Sequence, residues 1–151
     1  MSNEAIDVAC VALREFVHVS GALRAQALIP MGSAPFAIVS CTRLGPLEIV
    51  IGERSVQLPH DVEFEAPVPD LGPLGPMPPF EVSADRGEVT GMIGGVDALR
   101  DAVLTIAETL GGGAAVVAEM ETTTPDLPLV ISARAGEPVL AMIGDDEFEL
   151  S

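Results

Sequence analysis

The sequence contains no tryptophan, no tyrosine and no lysine, and aromatic residues make up only 3% of its 151 positions. Proteins that hold single-stranded nucleic acid stack the bases on aromatic side chains, and this chain has too few for such a platform. Without lysine it also lacks a Walker phosphate-binding loop, in which a lysine contacts the phosphates. Hydrophobic residues still make up 48% of the chain, so we expect a sizeable core of aliphatic and small side chains.

Positive charge is scarce as well. Seven arginines stand against 23 acidic residues, which gives a formal net charge of −16. A surface this negative repels phosphate backbones and anionic lipid headgroups, so we expect neither a nucleic acid nor a membrane as a partner. The same charge favours solubility, tolerance of salt or attraction to a basic protein. Composition alone does not separate salt adaptation from a basic partner.

Long apolar runs and secretion signals are absent from the sequence. No run reaches the roughly 18 apolar residues of a transmembrane helix, and the first residues lack the basic and apolar regions of a signal peptide. We therefore predict a cytoplasmic protein. Cys10 and Cys41 are far from CxxC spacing and are predicted to be reduced core residues. With His18 and His60 they could gather a soft metal, but their spacing does not indicate one, so we predict no metal and no cofactor.

The clearest helical pattern in the chain covers residues 96–110. Its apolar side chains recur at steps of three and four residues, namely Val96, Leu99, Val103, Ile106 and Leu110. That spacing places them on one stripe of a helix. Glycines occupy positions 111–113. Phosphate-binding glycine loops lead into a helix N-terminus, whereas these follow a C-terminus, so they predict a left-handed cap and a turn.

A second amphipathic helix is predicted near the N-terminus. Its apolar stripe consists of Ile6, Ala9, Cys10, Leu13, Phe16 and Val17. Residues 20–30 are ambiguous, because they alternate like a strand and are rich in alanine like a helix. Strands are predicted from alternation or β-branched content at 36–42, 47–51, 55–58, 80–84, 88–93, 114–121, 129–133 and 139–143, with a further short edge strand at 62–65. Residues 144–151 are predicted to form an acidic tail.

One stretch has the composition of a linker. Residues 66–79 contain six prolines and two glycines, a density that excludes a helix and a central strand and favours extended polyproline geometry. We interpret it as a semi-rigid strap between an N-terminal half, residues 1–65, and a C-terminal half, residues 80–151, of one compact domain. A docking ligand for a proline-recognising groove is the less favoured alternative.

The two halves show a weak internal resemblance. Residues 46–49 and 128–131 share proline, leucine and isoleucine, and they open segments of nearly equal length that close at 61–65 and 145–149. The first half would then carry an insertion at residues 18–32. Chance similarity between apolar strands is the alternative. We predict an α+β fold of two related helix-plus-three-strand halves, with a largely antiparallel sheet and both helices packed on one face.

An acidic cluster near the C-terminus is the first candidate binding site. It consists of Asp145, Asp146, Glu147 and Glu149. The cluster lacks the alternating pattern and spacing of an EF-hand calcium loop. Its preferred interpretation is contact with a basic partner protein.

His60 and Asp61 are the second candidate site. His60 is the one histidine in the sequence that has several carboxylates as near neighbours. A general base held by a carboxylate needs the two side chains within hydrogen-bond reach. Neighbours on a strand point to opposite faces, so a turn residue after Pro59 is the simpler interpretation of His60.

Two hypotheses about function follow. The first is a non-catalytic module that binds a basic protein, as an adaptor, chaperone or neutralising partner. The second is a small-molecule site or a modest enzyme at the seam between the halves, where His60 could contribute. We favour the first because no catalytic motif stands out in the sequence. Open strand edges would also allow a homodimer.

Overall fold

In the computed structural model, most residues of the chain are described. They are residues 4–31, 34–43, 45–59, 63–64, 66–72, 81–85, 88–93, 96–122, 128–144 and 146–150.

Two helices form where the apolar periodicity predicts them, α1 at Glu4–Ser20 and α2 at Val96–Leu110. Each ends at a glycine in the left-handed region, with φ of 74° at Gly21 and 59° at Gly111. The Gly21 amide donates to the Val17 carbonyl and the Gly111 amide donates to the Ala107 carbonyl, both at 2.9 Å. Glycine adopts this conformation without a steric penalty, so it ends both helices cleanly.

Ten strands accompany the helices within the described residues. Their bounds are β1 Arg24–Met31, β2 Ala34–Thr42, β3 Leu47–Ile51, β4 Arg54–Leu58, β5 Glu81–Asp85, β6 Glu88–Ile93, β7 Ala115–Met120, β8 Leu129–Arg134, β9 Val139–Ile143 and β10 Asp146–Leu150. Eight of them form one antiparallel sheet in the order β10-β9-β8-β7-β1-β2-β3-β4, and β5 pairs with β6 in a separate hairpin. The chain therefore has the predicted mixed α+β architecture.

The core lies against one face of the large sheet. On the five central strands β9, β8, β7, β1 and β2, buried and more exposed side chains alternate, as in β7, whose Val116, Ala118 and Met120 alternate with half-buried residues. Because buried residues lie opposite one another, for example Ala27 opposite both Val39 and Val116, they share a single face. Helix α1 contacts β1 and β2, α2 contacts β7 and β8, and the two helices contact each other. All of these elements contribute to one hydrophobic cluster.

The ambiguous segment at residues 20–30 contains β1, which lies near the middle of the sheet between β7 and β2. Most of the segment that was predicted to be an insertion, residues 18–32, is therefore the end of α1 and a central strand of the sheet. Ala25 and Ala27 are fully buried there. Alanine prefers a helix on its own, but a small side chain lets strand and helix approach closely, and pairing on both sides outweighs the local preference.

The chain beyond Gly144 also differs from the prediction. Residues 146–150 form β10, an edge strand in register with β9, rather than an acidic tail. Adjacent acidic residues disfavour a strand in isolation, but β9 supplies a paired template and each second side chain can extend into solvent. Each helix is consequently followed by four strands of the main sheet rather than by three.

The described part of the proline-rich stretch, residues 66–72, has no regular secondary structure, and Leu71 within it is buried in the core. Just before it, Phe64 packs partly against the same core, and the guanidinium of Arg14 lies 5.3 Å from the centre of its ring. This segment therefore packs along the domain next to α1.

Among the residues that the structure describes, Phe16 is the largest fully buried side chain, at 1% exposure. We expect Phe16→Ala to lower the free energy of unfolding by about 3–5 kcal/mol, because it removes apolar contacts and leaves a cavity that few other aromatic residues could fill. Urea denaturation followed by far-ultraviolet circular dichroism measures the change. Glu108→Ala, at an exposed position on α2, is the control and should shift stability by less than about 0.5 kcal/mol. A loss below about 1 kcal/mol for Phe16→Ala would contradict this account of the core.

Candidate binding surface

The second face of the main sheet, called here the outer face, carries the strand residues that alternate with the buried ones. An antiparallel sheet with one solvated face normally alternates apolar and polar residues cleanly. Here the alternation is incomplete, because about half of the outer-face residues on the six inner strands are apolar. They are Leu28, Phe36, Ile38, Val50, Ala115, Val117, Val130, Leu140 and Met142.

One end of the outer face is acidic. Glu147 and Glu149 on β10 are exposed, and because they are two residues apart on a strand they share one side of the sheet. The register places Glu147 opposite Met142 and Glu149 opposite Leu140. Met142 is 41% exposed, so an apolar side chain in contact with solvent lies directly beside the carboxylates.

An apolar region lies towards the other end of the outer face, on the strands next to the edge strand β4. Val50 lies opposite Ile38, Ile38 opposite Leu28, and Leu28 opposite Ala115, which makes a continuous row across β3, β2, β1 and β7. Phe36 precedes Ile38 by two residues on the same side of β2 and is 51% exposed. We call Leu28, Phe36, Ile38 and Val50 the apolar patch. A contiguous exposed apolar patch commonly marks a contact surface, whereas scattered apolar residues do not.

Polar side chains beside the apolar patch bind each other. The Gln26 amide donates to Ser40 Oγ at 3.0 Å, between directly opposed residues of β1 and β2. The Gln57 amide donates to Glu48 Oε2 at 3.4 Å, between β4 and β3. These pairs order the surface around the patch and limit how far the apolar side chains can rearrange.

A further carboxylate lies between the two ends. Glu119 on β7 is half-buried, opposite Val130 on one side and Arg24 on the other. Val130 in turn lies opposite Met142. From β10 across β9 and β8 to β7, the neighbouring side chains are therefore Glu147, Met142, Val130 and Glu119. Two apolar side chains thus lie between two carboxylates.

The structure gathers only part of the predicted site. His60, Asp61 and Asp145 lie outside the described residues. Asp146 belongs to β10, and Glu147 and Glu149 are exposed on the outer face.

Sequence reasoning did not find the apolar patch. A signal was present, because residues 36–39 and 49–51 are apolar at successive positions, as expected for strands with apolar residues on both faces. The opposition of Leu28 to Ile38 depends on β1, which the sequence left unassigned.

A cavity of about 480 Å³ lies elsewhere, between the second half of α1 and the end of β2. Its lining residues are Arg14, Glu15, Val17, His18, Gly21, Cys41 and Arg43. All of them precede residue 44, so this cavity is not the site between two halves that the second hypothesis requires.

Arg43 in this cavity is held by several groups. Its Nε and Nη2 donate to the Gly21 carbonyl at 3.0 and 2.6 Å, and its Nη1 lies 2.9 Å from Glu121 Oε1. The guanidinium of Arg43, just after β2, thus contacts both Gly21, just after α1, and Glu121, just after β7. This arrangement gives Arg43 a structural role.

Both cysteines are free thiols in the core. Burial raises the pKa of Cys10 from 9.0 to about 12, with Asp7 adding to the rise and Arg14 opposing it. Burial also raises the pKa of Cys41, and Arg14 again opposes the rise. Within the described part of the chain, no group of three or more histidine, cysteine or acidic side chains is placed to hold a metal ion.

The chain matches no known protein family, no curated protein and no solved structure. Of the helices that the structure describes, none is long and apolar enough to cross a membrane.

The thiols predict a specific loss of stability at alkaline pH. Because their pKa values are raised by folding, the unfolded chain ionises first, and stability falls as the pH rises from about 9 towards 12. The chain has no lysine and no tyrosine, the other side chains that ordinarily titrate in this range. We therefore expect Cys10→Ala/Cys41→Ala to show a much flatter dependence of unfolding free energy on pH between 9 and 11.

Urea denaturation of both proteins at several pH values measures this difference. The comparison uses the slope with pH, because the substitutions themselves change the stability of the core at every pH. Equal slopes for the two proteins would show that the buried thiols do not control the alkaline behaviour.

Proposed function

We propose that this protein is a non-catalytic module that binds a basic partner protein, as an adaptor, chaperone or neutralising partner. One observation carries the proposal: Glu147 and Glu149 are exposed on an edge strand beside the exposed Met142. Carboxylates around an apolar contact are suited to lysine and arginine side chains, whose aliphatic stems cover apolar surface while their charges meet the carboxylates.

The net charge of −16 supports the same proposal. A strongly negative protein accelerates encounter with a positive partner and repels a negative one. Because charges at the surface are screened by salt, the encounter should weaken as ionic strength rises. A basic protein would in turn have part of its excess charge neutralised.

We also infer that both helices cover one face of the sheet and that the chain consists of two related halves, each a helix followed by four strands. The sheet order supports this, because β1 and β7 lie at the centre and β4 and β10 at the edges. Buried helix positions also correspond at a constant difference of ninety residues. The pairs are Ala9 with Leu99, Ala12 with Ala102, Leu13 with Val103, Phe16 with Ile106 and Val17 with Ala107.

This revised correspondence differs from the one expected from sequence. It relates β2 to β8 and β3 to β9, whereas residues 46–49 and 128–131 would relate β3 to β8. In this correspondence the two halves contribute different residues to the outer face, because Glu147 and Glu149 on β10 correspond to Ser55 and Gln57 on β4. The acidic end then belongs to the second half alone.

A lysine-rich peptide with one tryptophan tests the proposed function. The protein has no tryptophan, so indole fluorescence reports the peptide only. We expect Glu147→Lys/Glu149→Lys to weaken binding at least tenfold at low salt, because it replaces the two carboxylates that meet the peptide. The control is Glu63→Lys/Glu108→Lys, at exposed positions of the segment beside α1 and of α2. Both double variants change the net charge equally, so the control should retain most of the affinity.

If the two double variants lost equal affinity for the peptide, the effect would be non-specific electrostatic attraction, and the proposed site would be refuted. Binding that is insensitive to salt, or equally tight binding of a matched glutamate-rich peptide, would refute a basic partner. The cytoplasmic location and the homodimer stay predictions, and so does a small-molecule site between the halves, for which the cavity beside α1 offers no support.

A further inference from the structure

We propose that the outer face binds a two-part segment of its partner: a basic stretch on the acidic end and an apolar anchor on the apolar patch. This inference rests on the proposed function and adds the second half of the contact surface. The observations behind it are the continuous row of opposed apolar residues and the exposure of Phe36 at its border.

The two ends lie on the same face but on different strands. Ile38 is on β2 and Glu149 is on β10, five strand spacings away in the sheet order. At about 4.8 Å per spacing this is roughly 24 Å, which an extended chain spans with about seven residues. A short segment can therefore reach both ends at once, and two linked contacts bind more tightly than either one alone.

The intervening surface is compatible with such a segment. Between the ends lie Val117, opposite Gln26, and Ser132, opposite Val117. All three side chains are uncharged, so a crossing segment meets no like charge along this row. A second cavity, of about 230 Å³, forms a shallow depression on this part of the sheet, and its lining includes Ser132, Leu140 and Arg134. The Arg134 guanidinium lies 3.5 Å from Glu137 Oε2, so its charge is partly offset.

A second copy of this chain fits the outer face less well than a basic partner does. Two copies would bring two net charges of −16 together, and their carboxylates at positions 119, 147 and 149 would lie in or beside the interface. Opposing like charges are strongly unfavourable in an interface that excludes water. Charge complementarity thus selects a cationic segment as the occupant.

Two peptides separate the contributions of the two ends. Both contain six lysines and one tryptophan at the basic end, followed by a spacer of about seven glycine and serine residues. The anchored peptide ends in leucine, isoleucine and leucine, and the unanchored peptide ends in three serines. We expect the wild-type protein to bind the anchored peptide at least tenfold more tightly, by indole fluorescence at fixed salt.

Phe36→Ser should remove that advantage and leave binding of the unanchored peptide unchanged. Phe36→Leu should retain most of the advantage, because it keeps an apolar side chain at the same place. Val56→Ser is the matched control: Val56 is 52% exposed but lies opposite Ile49, a residue packed against the core, and so does not belong to the outer face. Circular dichroism verifies that each variant is folded.

The outcomes distinguish this inference from the proposed function. Equal affinity for the two peptides, or equal effects of Phe36→Ser and Val56→Ser, would overturn the apolar anchor while leaving basic-partner binding intact. Failure of both peptides to bind would overturn both. A doubled native mass that Phe36→Ser reduces to that of one chain would assign the outer face to a second copy and overturn the inference.

Discussion

The antiparallel pairing of β1 with β7 is the contact on which the rest of the structure depends. It joins the strands that follow α1 to the strands that follow α2 in one continuous sheet. Each residue in this pair also has a partner on its outer side, β2 for β1 and β8 for β7. Without the pairing, each group of strands would present an open edge and each helix would cover too small a sheet to form a stable core.

Small side chains on β1 and β7 let the helices pack closely against the centre of the sheet. Ala25 and Ala27 on β1 meet Ala118 and Val116 on β7, and all four are buried. Larger residues lie farther out, such as Ile131 on β8, and on the helices, such as Phe16. Interiors pack at nearly crystalline density, so small residues at the centre and larger ones around them let both helices lie close to the sheet. The scarcity of aromatic residues therefore suits this arrangement.

The same sheet that forms the core on one side creates the candidate binding surface on the other. Register alone decides which side chains become neighbours there. It places Glu147 beside Met142 and Ile38 beside Leu28, which are not adjacent in the sequence. A shift of one residue in either pairing would turn these side chains to the core face. The chemistry of the outer face therefore depends on the packing of the core.

The sequence by itself determined the elements whose signals are local. Helical periodicity identified α1 and α2, glycine identified the cap of α2, and β-branched runs identified strands such as β2 and β8, because each signal depends only on nearby residues. The negative charge of the candidate surface was equally visible in composition. The acidic cluster was found as well, although its form was predicted as a tail.

Only the tertiary structure decided the roles of β1 and β10. The alanine-rich segment of β1 has no decisive local preference, and the acidic segment of β10 disfavours a strand until β9 pairs with it. The apolar patch likewise depends on strand pairing, because Leu28, Ile38 and Val50 become neighbours only when β1, β2 and β3 align. Such contacts form only when the strands pair in the correct register, and for that physical reason the sequence showed the charge of the surface but not its apolar half.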